Sequence, residues 1–346
     1  MSEVPVGQAG NSVSSPPVVC LTIGDPTGIG PEVAVKFLHR FMAGPLLSTE
    51  DSWSKNVPQP SLLVFGDLQK LRYEATVQRI SLPDERHRVR YIDIQTELGE
   101  SPSLEAKAGR LAYQSLEAAV AEIHAKRADV LVTGPISKEN LRQAGLPYSG
   151  HTEILQDLAE RYYGQTYQSD MLFVYRGFRM LLLTRHVALR QVSTTLSIPG
   201  VKQSLDSLCA FLQDRCRIPK PNLCILGVNP HAGELDGDEE ENILQPVLKA
   251  ISTQYGFKIN APVAADAAFR GFDINNLVYD AYVATYHDQG LIPFKMVAGL
   301  NAVNVTIGLP FLRTSVSHGT ALDIVGKNLA SPDSLIEAYK TAVALL

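Results

Sequence analysis

The sequence predicts an α/β protein with a mixed sheet, and three observations support this. Apolar runs rich in β-branched residues alternate with segments of helical period along the chain. Glycine, proline and polar residues separate these segments, as is typical of turns. Two of the runs, 171–175 and 178–184, flank the dipeptide Arg176-Gly177, which predicts a β-hairpin and therefore an antiparallel part of the sheet.

The predicted strands lie at residues 17–25, 62–66, 89–94, 129–134, 223–229, 281–287 and 302–308. The clearest helices are predicted at 103–128 and 331–346, where apolar residues recur on one face. Residues 1–16 and 45–60 are polar and rich in turn formers, so we expect a disordered tail and a surface loop.

The composition excludes several classes of protein. The 346 residues carry a net charge of −5 and no basic stripe, so we expect no nucleic-acid partner. The longest apolar runs are far shorter than the roughly 20 residues that cross a membrane, and residues 1–16 lack a signal-peptide pattern. We therefore expect a cytoplasmic protein. The four cysteines form no C-x-x-C pair and are predicted to be buried free thiols.

Three histidines, His186, His231 and His287, follow apolar strands. Ligands in α/β sheets gather beyond the carboxyl ends of strands, so these imidazoles can converge on a metal ion. Three imidazoles suit zinc or cobalt better than magnesium, which prefers oxygen ligands. Their wide spacing leaves hydrogen-bonded structural histidines as an equal alternative. Asp288 is a candidate to orient the ring of His287, although neighbouring residues of a strand point to opposite faces.

Isolated polar residues also occur in apolar segments. Three of them are Lys295, Asn304 and Arg313. One interpretation is an anion site for phosphate or carboxylate. The other is a surface lysine and a structural ion pair. Asp266 lies in the apolar segment 262–269 and is a candidate general base.

A glycine-rich turn joins the first strand to the first helix. Gly28 and Gly30 resemble the start of a dinucleotide fingerprint, but Val33 stands where the third glycine belongs, so that assignment is rejected. Asp25 and Glu32 beside this turn are predicted to face a cleft.

Six motifs together resemble the 4-hydroxythreonine-4-phosphate dehydrogenase family of vitamin B6 biosynthesis. They are GDPTGIGPEV (24–33), VTGPISK (132–138), SGHTE (149–153), NPHAGE (229–234), YHDQG (286–290) and NVTIGLPFLRTSVSHGTALD (304–323). The resemblance covers the chain from about residue 18 to its end.

The resemblance implies an isocitrate/isopropylmalate dehydrogenase-like fold, with two α/β subdomains around a cleft. We place the first subdomain at 17–150 and 315–346, and the second at 151–314 with the metal site and the dimer interface. It implies a homodimer with a shared active site, in which we expect His287 from one chain and His186 and His231 from the other.

The resemblance also implies ligands and residue roles. NAD, with NADP as an alternative, would oxidise a phosphorylated hydroxy-amino acid beside a divalent metal, with zinc expected and cobalt or magnesium as alternatives. His186, His231 and His287 correspond to the metal ligands. His151, Thr152, Lys295, Asn304 and Arg313 correspond to substrate-binding residues, Asp266 and Lys295 are the catalytic candidates, and His318, Gly319 and Asp323 are the cofactor candidates.

Two other functions stay open at this point. One is a paralogous dehydrogenase of the same family that acts on a phosphorylated sugar acid or a dihydrodiol. The other is a catalytically silent metal-binding module with the dehydrogenase fold.

Overall fold

The structure is a computed structural model that describes residues 16–44, 46, 59–96, 103–234 and 237–346. The predicted tail at 1–16 and the predicted loop at 45–60 therefore lie almost entirely outside the described residues. In the described part of the chain, no helix is both long enough and apolar enough to cross a membrane.

The strands of the described part are β1 (Val18–Thr22), β2 (Ser61–Gly66), β3 (Val89–Asp93), β4 (Val130–Thr133), β5 (Asp170–Tyr175), β6 (Phe178–Leu182), β7 (Leu223–Ile225), β8 (Ala281–Ala284), β9 (Val303–Ile307) and β10 (Leu312–Val316). The helices are α1 (Gly30–Met42), α2 (Leu68–Val77), α3 (Leu104–His124), α4 (Lys138–Gln143), α5 (His151–Tyr163), α6 (Val192–Thr195), α7 (Ile198–Asp214), α8 (Gln245–Tyr255), α9 (Ala265–Ala268), α10 (His287–Ala298) and α11 (Asp333–Ala344).

All ten strands form one sheet in the order β3-β2-β1-β4-β10-β9-β5-β6-β8-β7. The first five strands in this order are parallel to one another, and β9 is antiparallel to both of its neighbours. The predicted hairpin is confirmed, because β5 and β6 pair antiparallel around Arg176, whose φ is +52°. The strands β6, β8 and β7 are again parallel and run opposite to β1–β4. The sheet is therefore mixed, as the sequence predicted.

Two strands end earlier than predicted, and this changes the setting of two histidines. The run at 281–287 leaves the sheet after Ala284, because the side chain of Gln289 accepts from the backbone N–H of Thr285 at 2.8 Å and starts α10. His287 therefore opens a helix and does not close a strand. The run at 223–229 ends at Ile225, and His231 lies in the 3-10 turn Pro230–Gly233.

Gly28 and Gly30 of the glycine-rich turn pack closely against neighbouring segments of the chain. A Cβ on Gly30 would lie 2.2 Å from the Ile23 carbonyl oxygen, and one on Gly28 would lie 2.8 Å from Thr320 Cβ. The prediction that Asp25 and Glu32 face a cleft is wrong. Both are buried. The Asp25 carboxylate accepts hydrogen bonds from the Thr27 backbone N–H and the Asn140 side chain, and the Glu32 carboxylate accepts one from the Ala330 backbone N–H.

The proposed division into two subdomains stays a prediction. Its second boundary, between residues 314 and 315, falls inside β10, and β10 pairs with β4 on one side and β9 on the other. The sheet is continuous across that boundary.

Candidate active site

A crevice of about 630 Å³ lies over the face of the sheet at β10, β9 and β5. Arg313, Asn304 and Met171 line its floor. One wall comes from the loop after β4 and the start of α5, and the other comes from the residues that follow β6. Because the two halves of the sheet run in opposite directions, the crevice lies over a face of the sheet and not at one common edge of carboxyl ends.

Arg313 is the most unusual side chain of the crevice. It is 2% exposed, and its guanidinium donates to the hydroxyl of Thr133 at 2.7 Å and to that of Thr306 at 3.0 Å. Within the described residues it has no carboxylate partner within 4.0 Å. Burial lowers the pKa of Arg313 to about 9. A buried cation held only by neutral hydroxyls is stabilised when an anion binds beside it.

The start of α5 faces the same space. Its N-cap is Gly150, which supplies no side-chain hydrogen bond, so the first backbone N–H groups of the helix stay open to a ligand. His151 and Thr152, the first two residues of the helix, both line the crevice. Such a helix start binds anions through its N–H groups and its dipole. The helix start and Arg313 therefore present positive electrostatic potential to the same crevice.

His151 is held in its neutral form. Burial lowers its pKa well below the usual value, the Arg313 charge lowers it further, and a hydrogen bond to the Gly134 backbone opposes this. Its Nε2 is buried without a hydrogen-bond partner among the described residues, and so is Oδ1 of Asn304. Two unpaired polar atoms beside one crevice indicate that a polar ligand belongs there.

His186 and His287 lie next to each other in one chain, with ring centroids 5.8 Å apart. The expectation that His287 joins His186 and His231 from the other chain stays a prediction. Burial, and then the charges of Lys138, His287 and Arg185, lower the pKa of His186. A neutral imidazole is the form that binds a metal ion.

Asp288 contacts the ring of its neighbour, with 2.6 Å between Asp288 Oδ1 and His287 Nδ1. The strand rule, by which adjacent side chains point to opposite faces, does not apply because both residues lie in the first turn of α10. The contact leaves Nε2 of His287 for a ligand. A carboxylate behind an imidazole is the usual support of a metal-binding histidine.

His231 and Asp266 lie on elements that pack against each other, the turn Pro230–Gly233 and α9. The side chain of Gln289 ties α10 to this region, because its Nε2 donates to the Gly227 carbonyl at 2.6 Å. Even so, no group of three or more His, Cys, Asp or Glu side chains in the described part of the chain is close enough to hold a metal ion.

The remaining predicted residues fall into two groups. His318 and Gly319 line the crevice, and the loop they belong to rests on the glycine-rich turn, since Ile29 N–H donates to the Thr320 carbonyl at 3.0 Å. Lys295 is exposed on α10, Asp323 is exposed in a 3-10 turn, and neither lines the crevice.

The sequence analysis missed several residues of the site. Thr133 and Thr306 hold the Arg313 guanidinium, and Lys138 and Arg185 add positive charge to the crevice wall. Lys138 and Thr133 belong to the motif VTGPISK, which was quoted without a role for either residue. A lysine directly after a helix cap, at the start of the helix that follows β4, was the available signal.

Most of the chain matches the model of a known family. The family model of the pyridoxal phosphate biosynthetic protein PdxA matches residues 58–342. The chain belongs to this family. A 4-hydroxythreonine-4-phosphate dehydrogenase from Sulfurihydrogenibium sp. (strain YO3AOP1) is 33% identical over 333 residues, covering 94% of this chain and 98% of that protein. The resemblance read from the six motifs is confirmed.

Two further PdxA-family comparisons bear on substrate and fold. A D-threonate 4-phosphate dehydrogenase from Salmonella typhimurium is 36% identical over 341 residues, covering 94% of this chain and 98% of that protein. The crystal structure of a 4-hydroxythreonine-4-phosphate dehydrogenase from Klebsiella pneumoniae is 31% identical, with a TM-score of 0.76, and covers 95% of this chain and 99% of its own. The predicted fold class is therefore confirmed.

Proposed function

We propose that the chain oxidises 4-phosphooxy-L-threonine with NAD and decarboxylates the product to 3-amino-2-oxopropyl phosphate, a step of pyridoxine 5′-phosphate biosynthesis. The observation that carries this proposal is the anion site. Arg313 is a buried guanidinium without a carboxylate partner among the described residues, and it lies beside the open start of α5. A substrate with a phosphate and a carboxylate supplies the missing negative charge.

The residues of the crevice divide the work of binding. Arg313 and the N–H groups at the start of α5 bind one anionic group, and Thr152 and Asn304 bind polar atoms of the substrate beside it. The neutral His151 ring presents a hydrogen-bonding nitrogen without adding a further charge. Lys138 raises the local positive potential from the wall. Together they hold the substrate in one orientation, which lowers the entropy lost at the reaction step.

The residue types of His186, His231 and His287 suit a divalent metal ion, although the described residues of one chain do not bring three such ligands together. Burial and nearby charges lower the pKa of His186, which favours its neutral, metal-binding form, and the Asp288 carboxylate beside Nδ1 of His287 leaves Nε2 of that ring for a ligand. We assign His231 as the third ligand. Three imidazoles favour zinc or cobalt over magnesium, and such an ion supplies Lewis acidity toward the hydroxyl oxygen that is oxidised.

Dehydrogenases of this family require a nicotinamide cofactor, and we assign the loop with His318, Gly319 and Asp323 to it. His318 and Gly319 line the crevice, and a Cβ on Gly319 would meet nothing within 4 Å, so the backbone there is open to a ligand. We assign NAD and keep NADP as the alternative. Asp266, on α9 beside the turn of His231, stays our candidate for the general base.

A homodimer with a shared active site accounts for the exposed face of α10. Ile292 and Met296 lie four residues apart on α10 and are 60% and 82% exposed, and Leu300 in the 3-10 turn after the helix is 76% exposed. An apolar stripe of this kind favours contact with another protein surface. Lys295 lies between Ile292 and Met296, and we propose that it reaches the crevice of the second copy.

The decisive experiment measures NADH formation with 4-phosphooxy-L-threonine and with D-threonate 4-phosphate under the same conditions. We expect the higher kcat/KM with 4-phosphooxy-L-threonine. A higher value with D-threonate 4-phosphate would replace the proposed substrate and keep the anion site. No NADH with either compound, from protein that carries its metal, would favour the catalytically silent module.

The metal assignment is tested by its removal. A chelator should abolish activity, and zinc or cobalt should restore it. Replacement of His186, His231 or His287 by alanine should lower the metal content of folded protein, whereas the same change at the exposed His39 should not. Full activity of protein that is proven free of metal would contradict the assignment.

A further inference from the structure

A second cavity, of about 490 Å³, lies away from the crevice. It is bordered by the turn of the β5–β6 hairpin and by the C-terminal ends of α7 and α11. The crevice contacts the opposite, open end of the same hairpin, at Met171 and Thr184. The two cavities therefore lie at opposite ends of the hairpin, about one strand length apart, and share no lining residue.

The cavity has an excess of positive charge. Its charged lining residues are Arg176, Arg179, Arg215, Arg217, Lys340 and Glu337. Lys340 and Glu337 form an ion pair of 3.0 Å, whereas none of the four arginines has a carboxylate within 4.0 Å among the described residues. The whole chain has a net charge of −5, so this concentration of arginines is not a consequence of an overall basic composition.

The basic residues of the cavity are more numerous than the stabilisation of two helix C-termini requires. The C-termini of α7 and α11 each present about half a negative charge, which favours basic residues nearby. One lysine or arginine would balance both ends. Five cations against one carboxylate leave about three positive charges after both helix dipoles are counted.

The contacts of Arg179 also leave its charge available. Its Nη1 donates to the Gly177 carbonyl at 3.1 Å and to the Asp280 carbonyl at 3.0 Å, which are both neutral groups. The carboxylate of Asp280 accepts instead from the backbone N–H of Asn222 at 2.7 Å. The half-buried Arg179 is thus positioned by backbone oxygens at the cavity and not neutralised there.

We propose that this cavity is a second anion-binding site, which takes a phosphorylated small molecule with two or more negative charges. Its volume falls in the range of about 300 to 1,000 Å³ that small-molecule sites occupy. Arginine guanidinium groups form paired hydrogen bonds with phosphate oxygens, which a set of lysines would not do. The site does not depend on the proposed function, because none of its residues lines the crevice.

The test uses inorganic pyrophosphate as the probe and two charge-matched double variants. Arg215→Gln with Arg217→Gln removes two cations of the cavity, and Arg72→Gln with Arg79→Gln removes two exposed cations near α2, on the other half of the sheet. Calorimetry at constant ionic strength should show pyrophosphate binding that weakens by about tenfold or more in the cavity variant only. Basal turnover should be unchanged in both variants.

A local reporter separates this site from the crevice. Cys216 lines the cavity and is half-buried, whereas the other three cysteines are buried. Pyrophosphate should slow the alkylation of Cys216, followed by mass spectrometry, in the wild type and in the Arg72/Arg79 variant but not in the cavity variant. If the double variant fails to fold, Arg217→Gln alone, at an exposed position, replaces it.

Three results would overturn the proposal. The first is wild-type Cys216 that alkylates at the same rate with and without pyrophosphate. The second is protection that persists in the cavity variant. The third is an equal loss of affinity in the two double variants, because that would reflect the net charge of the chain and not a built site.

Discussion

At the scale of single residues, Arg313 should be required for activity but not for stability. Arg313→Gln removes a charge-assisted contact to the substrate anion, so kcat/KM should fall by about 30-fold, or ~2 kcal/mol. The free energy of unfolding should not fall, because the wild-type side chain is a buried cation without a carboxylate partner among the described residues.

Steady-state kinetics and chemical denaturation of the same preparation check both parts of this prediction. Arg72→Gln, at an exposed position on α2, serves as the control and should change neither quantity. An unchanged kcat/KM in Arg313→Gln would place the substrate anion elsewhere.

The lowered pKa of His151 predicts how the free energy of unfolding depends on pH. Burial and the Arg313 charge hold its folded-state pKa well below the unfolded value of about 6.5. Below about pH 6.5 the unfolded chain binds a proton that the folded chain excludes, so the free energy of unfolding falls by up to ~1.4 kcal/mol per pH unit. That loss continues until the pH reaches the folded-state pKa.

His151→Asn should therefore make the acid side of the stability curve shallower than in the wild type, as measured by urea denaturation at a series of pH values. His39→Asn, at an exposed position, should keep the wild-type slope. Equal slopes in the wild type and in His151→Asn would show that the ring is protonated in the folded state.

At the scale of elements, α10 is apolar on two faces. Leu291, Phe294 and Ala298 pack into the core, whereas Ile292 and Met296 are exposed. Met296→Glu places a charge in the middle of the exposed stripe, so it should weaken self-association by about tenfold or more, since a charge is expensive to bury without a partner.

Light scattering over a dilution series measures this effect. Leu104→Glu is the matched control, because Leu104 is 68% exposed at the start of α3, and it should leave the association unchanged. Identical dissociation of the wild type and Met296→Glu would remove α10 from the interface.

The elements also show what a sequence can and cannot predict. The hairpin around Arg176 and the helix predicted at 103–128 follow from local residue types, and the structure has the hairpin and α3 there. The end of β8 depends on a hydrogen bond between the Thr285 backbone and the Gln289 side chain, which local residue types do not reveal. His287 was therefore assigned to a strand.

The contacts of the candidate site depend on the fold more than on local sequence. An arginine in an apolar segment predicted a need for partners, but Thr133, which holds Arg313, is 180 residues away in the chain. The direction of β6–β8 relative to β1–β4 is likewise set by tertiary pairing, and it moves the crevice onto the face of the sheet. The motifs, read as a family resemblance, pointed to several residues that line the crevice, among them Arg313 and His151, without supplying these contacts. They also pointed to Lys295 and Asp323, which do not line it.

At the scale of the whole molecule, the central claim is that two copies share each active site. Lys295 lies eight residues after His287 on α10, about 12 Å along the helix axis. It is exposed and does not line the crevice that contains Arg313. A closed two-fold dimer through the stripe of α10 can bring the Lys295 of each chain to the crevice of the other.

Refolding Arg313→Gln and Lys295→Ala chains together tests this claim most directly. Each homodimer should be nearly inactive. In a mixed dimer one site would carry both changes and the other would carry neither, so random exchange should restore about a quarter of wild-type activity, as two-fold symmetry requires. If native mass spectrometry proves that mixed dimers formed and activity still does not recover, Lys295 and Arg313 act within one chain and the shared site is contradicted.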